Sequence, residues 1–176
     1  MEESFSDILA VGGKSNSLGR TDEVIEIVLS NKDQLSDLYG CVFNDDAWIR
    51  MRAIDAIEKI CRQHPEWVKP YIDKFQHEFA RSNQPSIQWH LAQMYALLEM
   101  NDNQKKIAIE WLKSLLSDIE VDWIVSVNAM KALVQFTNDG STSRSSTATH
   151  LEIQRNHKSK TVVRKANKLL LELKSQ

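Results

Sequence analysis

Chain breakers are scarce: 5 glycines and 3 prolines in 176 residues. A turn-rich β fold draws on both residues, so their scarcity favours helices. β-branched residues do not gather into alternating runs, which argues against sheets. Cysteine is limited to Cys41 and Cys61. Two thiols build no disulfide framework; each falls on an apolar helical position and is expected to be a buried free thiol of a reducing cytoplasm. No stretch approaches the ~20 apolar residues of a membrane span. The N-terminal "MEESFSDILAVGG" is acidic and lacks the apolar run of a secretory signal. Net charge is -2, so no global field of one sign draws the chain to nucleic acid or to a membrane.

What the chain does have is periodicity. In "NDDAWIRMRAIDAIEKIC", Asn44 to Cys61, the residues Ile49, Ala53, Ala56, Ile57 and Ile60 fall on one helical face. Asp46 precedes them as an N-cap. Stepping forward by about 38 residues puts Gln84 in the cap place and Ile87, Leu91, Met94 and Tyr95 on the apolar face. Further steps give Asp122 with Val125, Ala129, Ala132 and Leu133, then Ser159 with Val162, Ala166, Leu169 and Leu170. A helix-length apolar pattern lies before each: from Asp33, Pro65, Asn101 and, more weakly, Thr149. Pairs of antiparallel helices that repeat in this way stack to bury faces that one pair leaves bare. The expected fold is all-α, a right-handed α-solenoid of about four to five helix pairs with a ~38-residue repeat. Pro65 suits a first helical turn, and Pro70 should shorten its helix. "TDEVIEIVLSN" reads as an extra helix capped by Thr21 or Asp22. Residues 1–20 read as a flexible lead-in and 21–176 as one domain, with a Gly/Ser/Thr-rich linker at 138–147.

The segment Leu38 to Ile57 resembles a HEAT repeat, through Asp46, Ile49, Arg50, Ala53 and Ala56. The resemblance extends more weakly over residues 33–176, as a HEAT/armadillo-like chain. It implies an interaction scaffold without catalysis, although some HEAT-like proteins are enzymes, among them DNA alkylpurine glycosylases and relatives of bilin lyases. It also implies that the second helices of the pairs line a concave face. Arg50 has no counterpart in Gln88, Ser126 or Val163, so an Asp–Arg ladder between repeats is expected at one rung only.

Chemistry-bearing motifs are few. Gly13, Lys14 and Ser15 end like a P-loop, but the full motif needs a glycine where Ile8 stands and a helix where "NSLG" follows. His64, His77 and His90 are spaced evenly but match no zinc pattern, and the pair Cys61 and His64 has no second pair to answer it. No nucleophile signature is present. Asp45 and Asp46 read as helix-start residues. The expectation is therefore no enzyme, no metal and no cofactor.

One row of each second helix is expected to point away from the apolar face: Arg52, His90, Asn128 and Lys165. Met51 and Trp89 stand in the adjoining row, with Trp48 and Asp55 nearby. These eight residues are the expected partner-binding face, suited to a peptide or helix of another protein that is acidic toward the Lys165 end. The charge is uneven. Arg155, Lys158, Lys160, Arg164, Lys165 and Lys168 form a basic patch at the C-terminal end, while the rest of the chain is net acidic. An alternative function is nucleic-acid binding through that patch, by a protein related in fold to the DNA alkylpurine glycosylases, with Trp89 or Trp48 to stack on a base; a third reading, a HEAT-like enzyme such as a glycosylase, has Asp55, Arg52 and Trp48 as its nearest set. A monomer or weak head-to-tail self-association fits the same asymmetry.

Overall fold

A computed structural model describes residues 3–12 and 17–175, and among them every regular element is helical. The chain divides into two compact units, Met1–Pro70 and Tyr71–Gln176. The G-K-S stretch lies outside the described residues.

The first unit contains α1 (Phe5–Ala10), α2 (Thr21–Ser30), a 3-10 turn at Lys32–Gln34, α3 (Leu35–Cys41), α4 (Ala47–Gln63) and α5 (Pro65–Val68). The long α4 is the hub, packed by α1, α2, α3 and α5. The expected lead-in is in part a helix. Ser4 caps α1 in a reciprocal box with Asp7, and Phe5, Ile8 and Leu9 are buried. The start of α2 also differs from expectation: Arg20 holds the cap position, and the buried Thr21 turns its hydroxyl back to the Leu18 carbonyl. Arg20 pairs with Glu23 at 2.7 Å and with Glu3 at 2.9 Å.

Arg52, expected on an outward-facing row, is buried here. Its side chain is 3% exposed. Nη1 donates to the Leu9 carbonyl at 2.6 Å and Nε to the Ser17 carbonyl at 2.9 Å. The guanidinium thus ties together the two sides of the loop after α1, satisfying a carbonyl that the end of a helix leaves open. Gly12 makes room for it, because a Cβ there would overlap the guanidinium. Gly19 has φ +53° and sits against the Val11 carbonyl, a conformation and a closeness that suit only glycine.

The second unit contains α6 (Ile72–His77), a 3-10 turn at Phe79–Arg81, α7 (Pro85–Leu97), α8 (Asp102–Leu116), α9 (Trp123–Asn138), α10 (Arg144–Gln154) and α11 (Lys160–Ser175). α9 packs between α7 and α11, while α8 packs on α6, α9 and α10. α10 in turn lies against α9 and α11. The Ser/Thr-rich linker is shorter than its composition suggests. Residue 138 ends α9 and residues 144–147 are the first turn of α10, capped by Ser143. Thr147 is fully buried, its hydroxyl 2.7 Å from that of Thr137.

Four helices start where the periodicity places them: after Asp46, Gln84, Asp122 and Ser159. All the apolar residues assigned to their inner faces are buried. Similar polar turns precede three of them. Asn44, Ser82 and His157 each accept the backbone N–H two residues on, from Asp46, Gln84 and Ser159, at 2.9, 3.2 and 2.9 Å. Arg50 donates to the Asn44 carbonyl at 2.7 Å, and Gln88, 38 residues later, donates to the Ser82 carbonyl at 3.1 Å. Pro65 opens α5, and Pro70 falls in a 3-10 turn at Lys69–Tyr71 that interrupts the helical run.

Both thiols are buried and free. Burial pushes Cys61 up from 9.0 to about 12. A thiol raised in the folded state stabilises the fold below its unfolded value, and that contribution fades as pH rises through the folded value. Native protein should therefore resist a disulfide reagent at pH 8, with labelling at the rate of opening. Its stability should fall by up to about 1.4 kcal/mol per pH unit above pH 9 relative to Cys61→Ala. Rapid native labelling of two thiols would contradict the burial.

Candidate functional site

The exposed side of α7, α9 and α11 is the face that brings predicted residues together. Gln93 on α7 donates its amide to Asn128 Oδ1 on α9 at 3.1 Å, and Asn128 donates back to the Ile124 carbonyl at 2.8 Å. Nearer the helix ends, Gln135 donates to the Ala96 carbonyl at 2.5 Å. These bonds fix α7 against α9 and orient the amides on the surface. Trp89 is half-buried on this side, its ring 5.2 Å from that of His90. Lys165 on α11 is half-buried also, and close enough to Lys131 of α9 and to Lys168 for their charges to act on it.

Charge separates this layer from the rest of the unit. α7 carries no Asp, Glu, Lys or Arg, and α9 carries only Lys131. α11 adds Lys160, Arg164, Lys165, Lys168 and Lys174 against the single carboxylate of Glu172. Among the described residues, Lys131, Lys160, Arg164 and Lys165 form no ion pair. Burial is the first cause that holds the Lys165 ammonium below the usual lysine range, and Lys131 and Lys168 add repulsion that outweighs Glu172. A cation cluster held in this way gains by meeting an anion.

The predicted basic patch divides on the same criterion. Arg155 is matched by Glu152 at 2.6 Å and Lys158 by Glu120 at 3.0 Å. Lys168 reaches Glu172 at 3.9 Å, a weak contact between exposed groups. Only Lys160, Arg164 and Lys165 of that patch are left unmatched. By contrast, the ~260 Å³ cleft beside α8 holds Lys105, Lys106 and Lys113, but Lys105 is paired with Asp139 at 3.0 Å and Lys113 with Glu110 at 3.2 Å. Its charge is largely neutralised within the fold.

The other predicted residues fall elsewhere. His90 is only 6% exposed, because the buried arc of α7 is wide and takes in Ser86, His90 and Met94, each one turn after the last. Arg52, expected in the same outward row, is buried as well. Trp48, Met51 and Asp55 belong to α4 in the first unit. Trp48 is 42% exposed, Met51 is half-buried, and Asp55 is largely covered and engaged by Lys59 at 3.1 Å. Burial pushes the Asp55 carboxyl up despite Lys59. Of the set Trp48, Arg52 and Asp55, Arg52 is bound to backbone carbonyls and Asp55 to Lys59.

The described residues include no cluster of His, Cys, Asp and Glu able to hold a metal ion. His64 stacks on Trp67 with ring centroids 4.1 Å apart and meets Glu66 at 3.1 Å. Cys61, its partner in spacing, is fully buried. No described helix is long and apolar enough to cross a membrane.

Sequence reasoning missed Lys131 and Gln93. Lys131 lies three residues after Asn128 and Gln93 four after Trp89, so the selected rows carried forward by one helical turn find them. No protein-family model, no curated protein and no solved structure matches the chain.

Proposed function

We propose that the chain is a non-catalytic helical-repeat adaptor that holds a segment of another protein on the exposed face of α7, α9 and α11. The observation that carries this reading is the group of unmatched cations, Lys131, Lys160, Arg164 and Lys165, on helices packed side by side with Trp89 on the same layer. A folded domain gains nothing from concentrating like charge on one face, whereas an interface gains association rate and selectivity. A half-buried Trp held next to an ordered amide pair is the kind of anchor that dominates binding energy at interfaces.

A HEAT-like right-handed α-solenoid is the architecture that best accounts for the periodic starts at Asp46, Gln84, Asp122 and Ser159. The polar turns before them and the equivalent bonds of Arg50 and Gln88 support a repeated unit. So does the alternation of packing in the second unit, in which α7, α9 and α11 form one row and α6, α8 and α10 the other. In this reading the row with α9 at its centre is the concave surface, and the protein works in the cytoplasm.

Affinity capture with wild type and Trp89→Ala, quantified by mass spectrometry, tests the proposal. Partners that use this face should be lost or reduced about tenfold or more, with the melting temperature of the variant close to that of wild type. Identical partner sets would reject the adaptor reading.

A further inference from the structure

We infer that the bound segment is an acidic amphipathic helix, and that Lys160, Arg164 and Lys168 read carboxylates spaced four residues apart along it. The inference rests on the adaptor reading and goes further by specifying what the partner must present. The three cations follow one another at four-residue intervals on α11, a step of about 6 Å along the helix axis. A partner helix laid alongside α11 presents carboxylates at the same step when they stand at i, i+4 and i+8.

All three residues are exposed, and of the three only Lys168 has a carboxylate neighbour, 3.9 Å away. Lys165 and Lys131 line the flank of the stripe toward α9, so a carboxylate that leans that way meets two further ammonium groups. An anion there relieves the mutual repulsion of Lys131, Lys165 and Lys168 as well as adding its own contacts.

The stripe continues into Leu171, which is 69% exposed, the most exposed large hydrophobic of the described residues. At 100° per residue it lies within about 20° of Arg164 on the helix surface. An aliphatic side chain at the end of a cationic row suits a partner with one apolar residue beyond its acids. It offers nothing to a phosphate backbone. No aromatic ring stands on the exposed side of α11 on which bases would stack, since the helix contains none. The cations are also few: residues 71–176 carry 14 Lys/Arg against 11 Asp/Glu. Together these observations favour an acidic protein helix over nucleic acid.

The test is fluorescence anisotropy on the full chain with a labelled, helix-stapled peptide of about 16 residues that bears Glu at every fourth position and Leu one turn after the last. A matched peptide with Gln in place of Glu and a single-stranded oligonucleotide of equal charge are the controls. The Glu peptide should bind in a salt-sensitive manner, and the Gln peptide about tenfold or more weaker. Lys160→Glu/Arg164→Glu should weaken the Glu peptide by a similar factor without changing the circular dichroism or lowering the melting temperature, because both side chains are exposed. Leu171→Ser should weaken it by a smaller factor and leave its salt dependence unchanged.

Absence of binding, equal affinity for the Gln peptide, or equal affinity of the charge-reversed variant would each overturn the inference. So would an oligonucleotide that binds as tightly as the peptide. The adaptor reading fails by a different result: if Trp89→Ala loses no partner, the face itself is not used. Partners that depend on Trp89 but not on Lys160 or Arg164 would leave the adaptor reading standing and remove the acidic helix.

Discussion

Arg52→Ala is expected to destabilise the first unit by about 3 kcal/mol or more. The substitution removes two charge-assisted hydrogen bonds at once, to the carbonyls of Leu9 and Ser17. It leaves the Leu9 carbonyl buried beside a void, and it loses the packing of a side chain that is 3% exposed. Lysine should not rescue it. An ammonium presents no planar fork, so it serves one of the two carbonyls well and the other poorly.

The contact can be isolated by a second substitution. Gly12→Ala places a Cβ on the guanidinium, so in wild type it should cost about 1–3 kcal/mol through overpacking. With Arg52→Ala the obstruction is gone, and the further cost of Gly12→Ala should fall close to zero. The coupling in this double-mutant cycle is the signature of direct contact. Urea unfolding of the four proteins measures it, and hydrogen exchange in α1 should rise selectively in both Arg52 variants. Additive losses, or an Arg52→Ala protein as stable as wild type, would show that the guanidinium does not hold the N-terminal segment.

Arg52 also marks where sequence reasoning stops. On a helical wheel it lies about 60° from Ile49 and about 100° from Ala53, at the edge of the apolar face, so it reads as solvent-facing only if the buried side of α4 is narrow. The element that covers it, α1, has only six residues, too short for a 3.6-residue period to register. A signal was nevertheless present: Ser4 and Asp7 stand at capping-box spacing ahead of Ile8 and Leu9. The same limit explains the segment at 138–147. Its composition reads as a linker, yet Ser143 is a helix cap and Thr147 is fully buried. Position within a motif, and not residue type, decided both cases.

What the sequence conveys well is whatever repeats. The starts after Asp46, Gln84, Asp122 and Ser159, the inner faces and the break at Pro70 all follow from period and breaker chemistry. Of the row Arg52, His90, Asn128 and Lys165, the last two are half-buried at the surface and the first two are buried, while Trp89, from the adjoining row, is half-buried. Which cations on that side are neutralised was not legible. Lys158 finds Glu120, and Lys105 finds Asp139, at sequence separations that no local pattern encodes. The unmatched set therefore emerges only from three-dimensional pairing.

Gln154→Leu should be the most damaging substitution in the second unit, with a loss of about 2–4 kcal/mol. Gln154 is fully buried. Its amide donates to the carbonyls of Leu116 at 2.8 Å and Asp118 at 3.0 Å, while Oε1 accepts from the Ser126 hydroxyl at 2.8 Å. One side chain of α10 thereby satisfies the open end of α8 and fixes the second turn of α9. Leucine matches its bulk but leaves both carbonyls and a hydroxyl without partners in a dry interior. Ser126→Ala should cost about 1 kcal/mol in wild type and almost nothing beside Gln154→Leu. Gln154→Glu supplies the sharper test. A carboxylate here faces two carbonyls, so its pKa in the fold must rise above the unfolded value. Its penalty should then be small below the unfolded carboxyl range and grow as pH rises through the folded value. Neither the leucine variant nor wild type should show that dependence. A flat pH profile for Gln154→Glu, or a Gln154→Leu protein that melts with wild type, would mean that the two carbonyls are satisfied in another way. If the losses appear as expected, the position of α9 depends on this amide. Ser126 is two residues from Asn128, so the variants should also weaken any partner that docks beside Trp89.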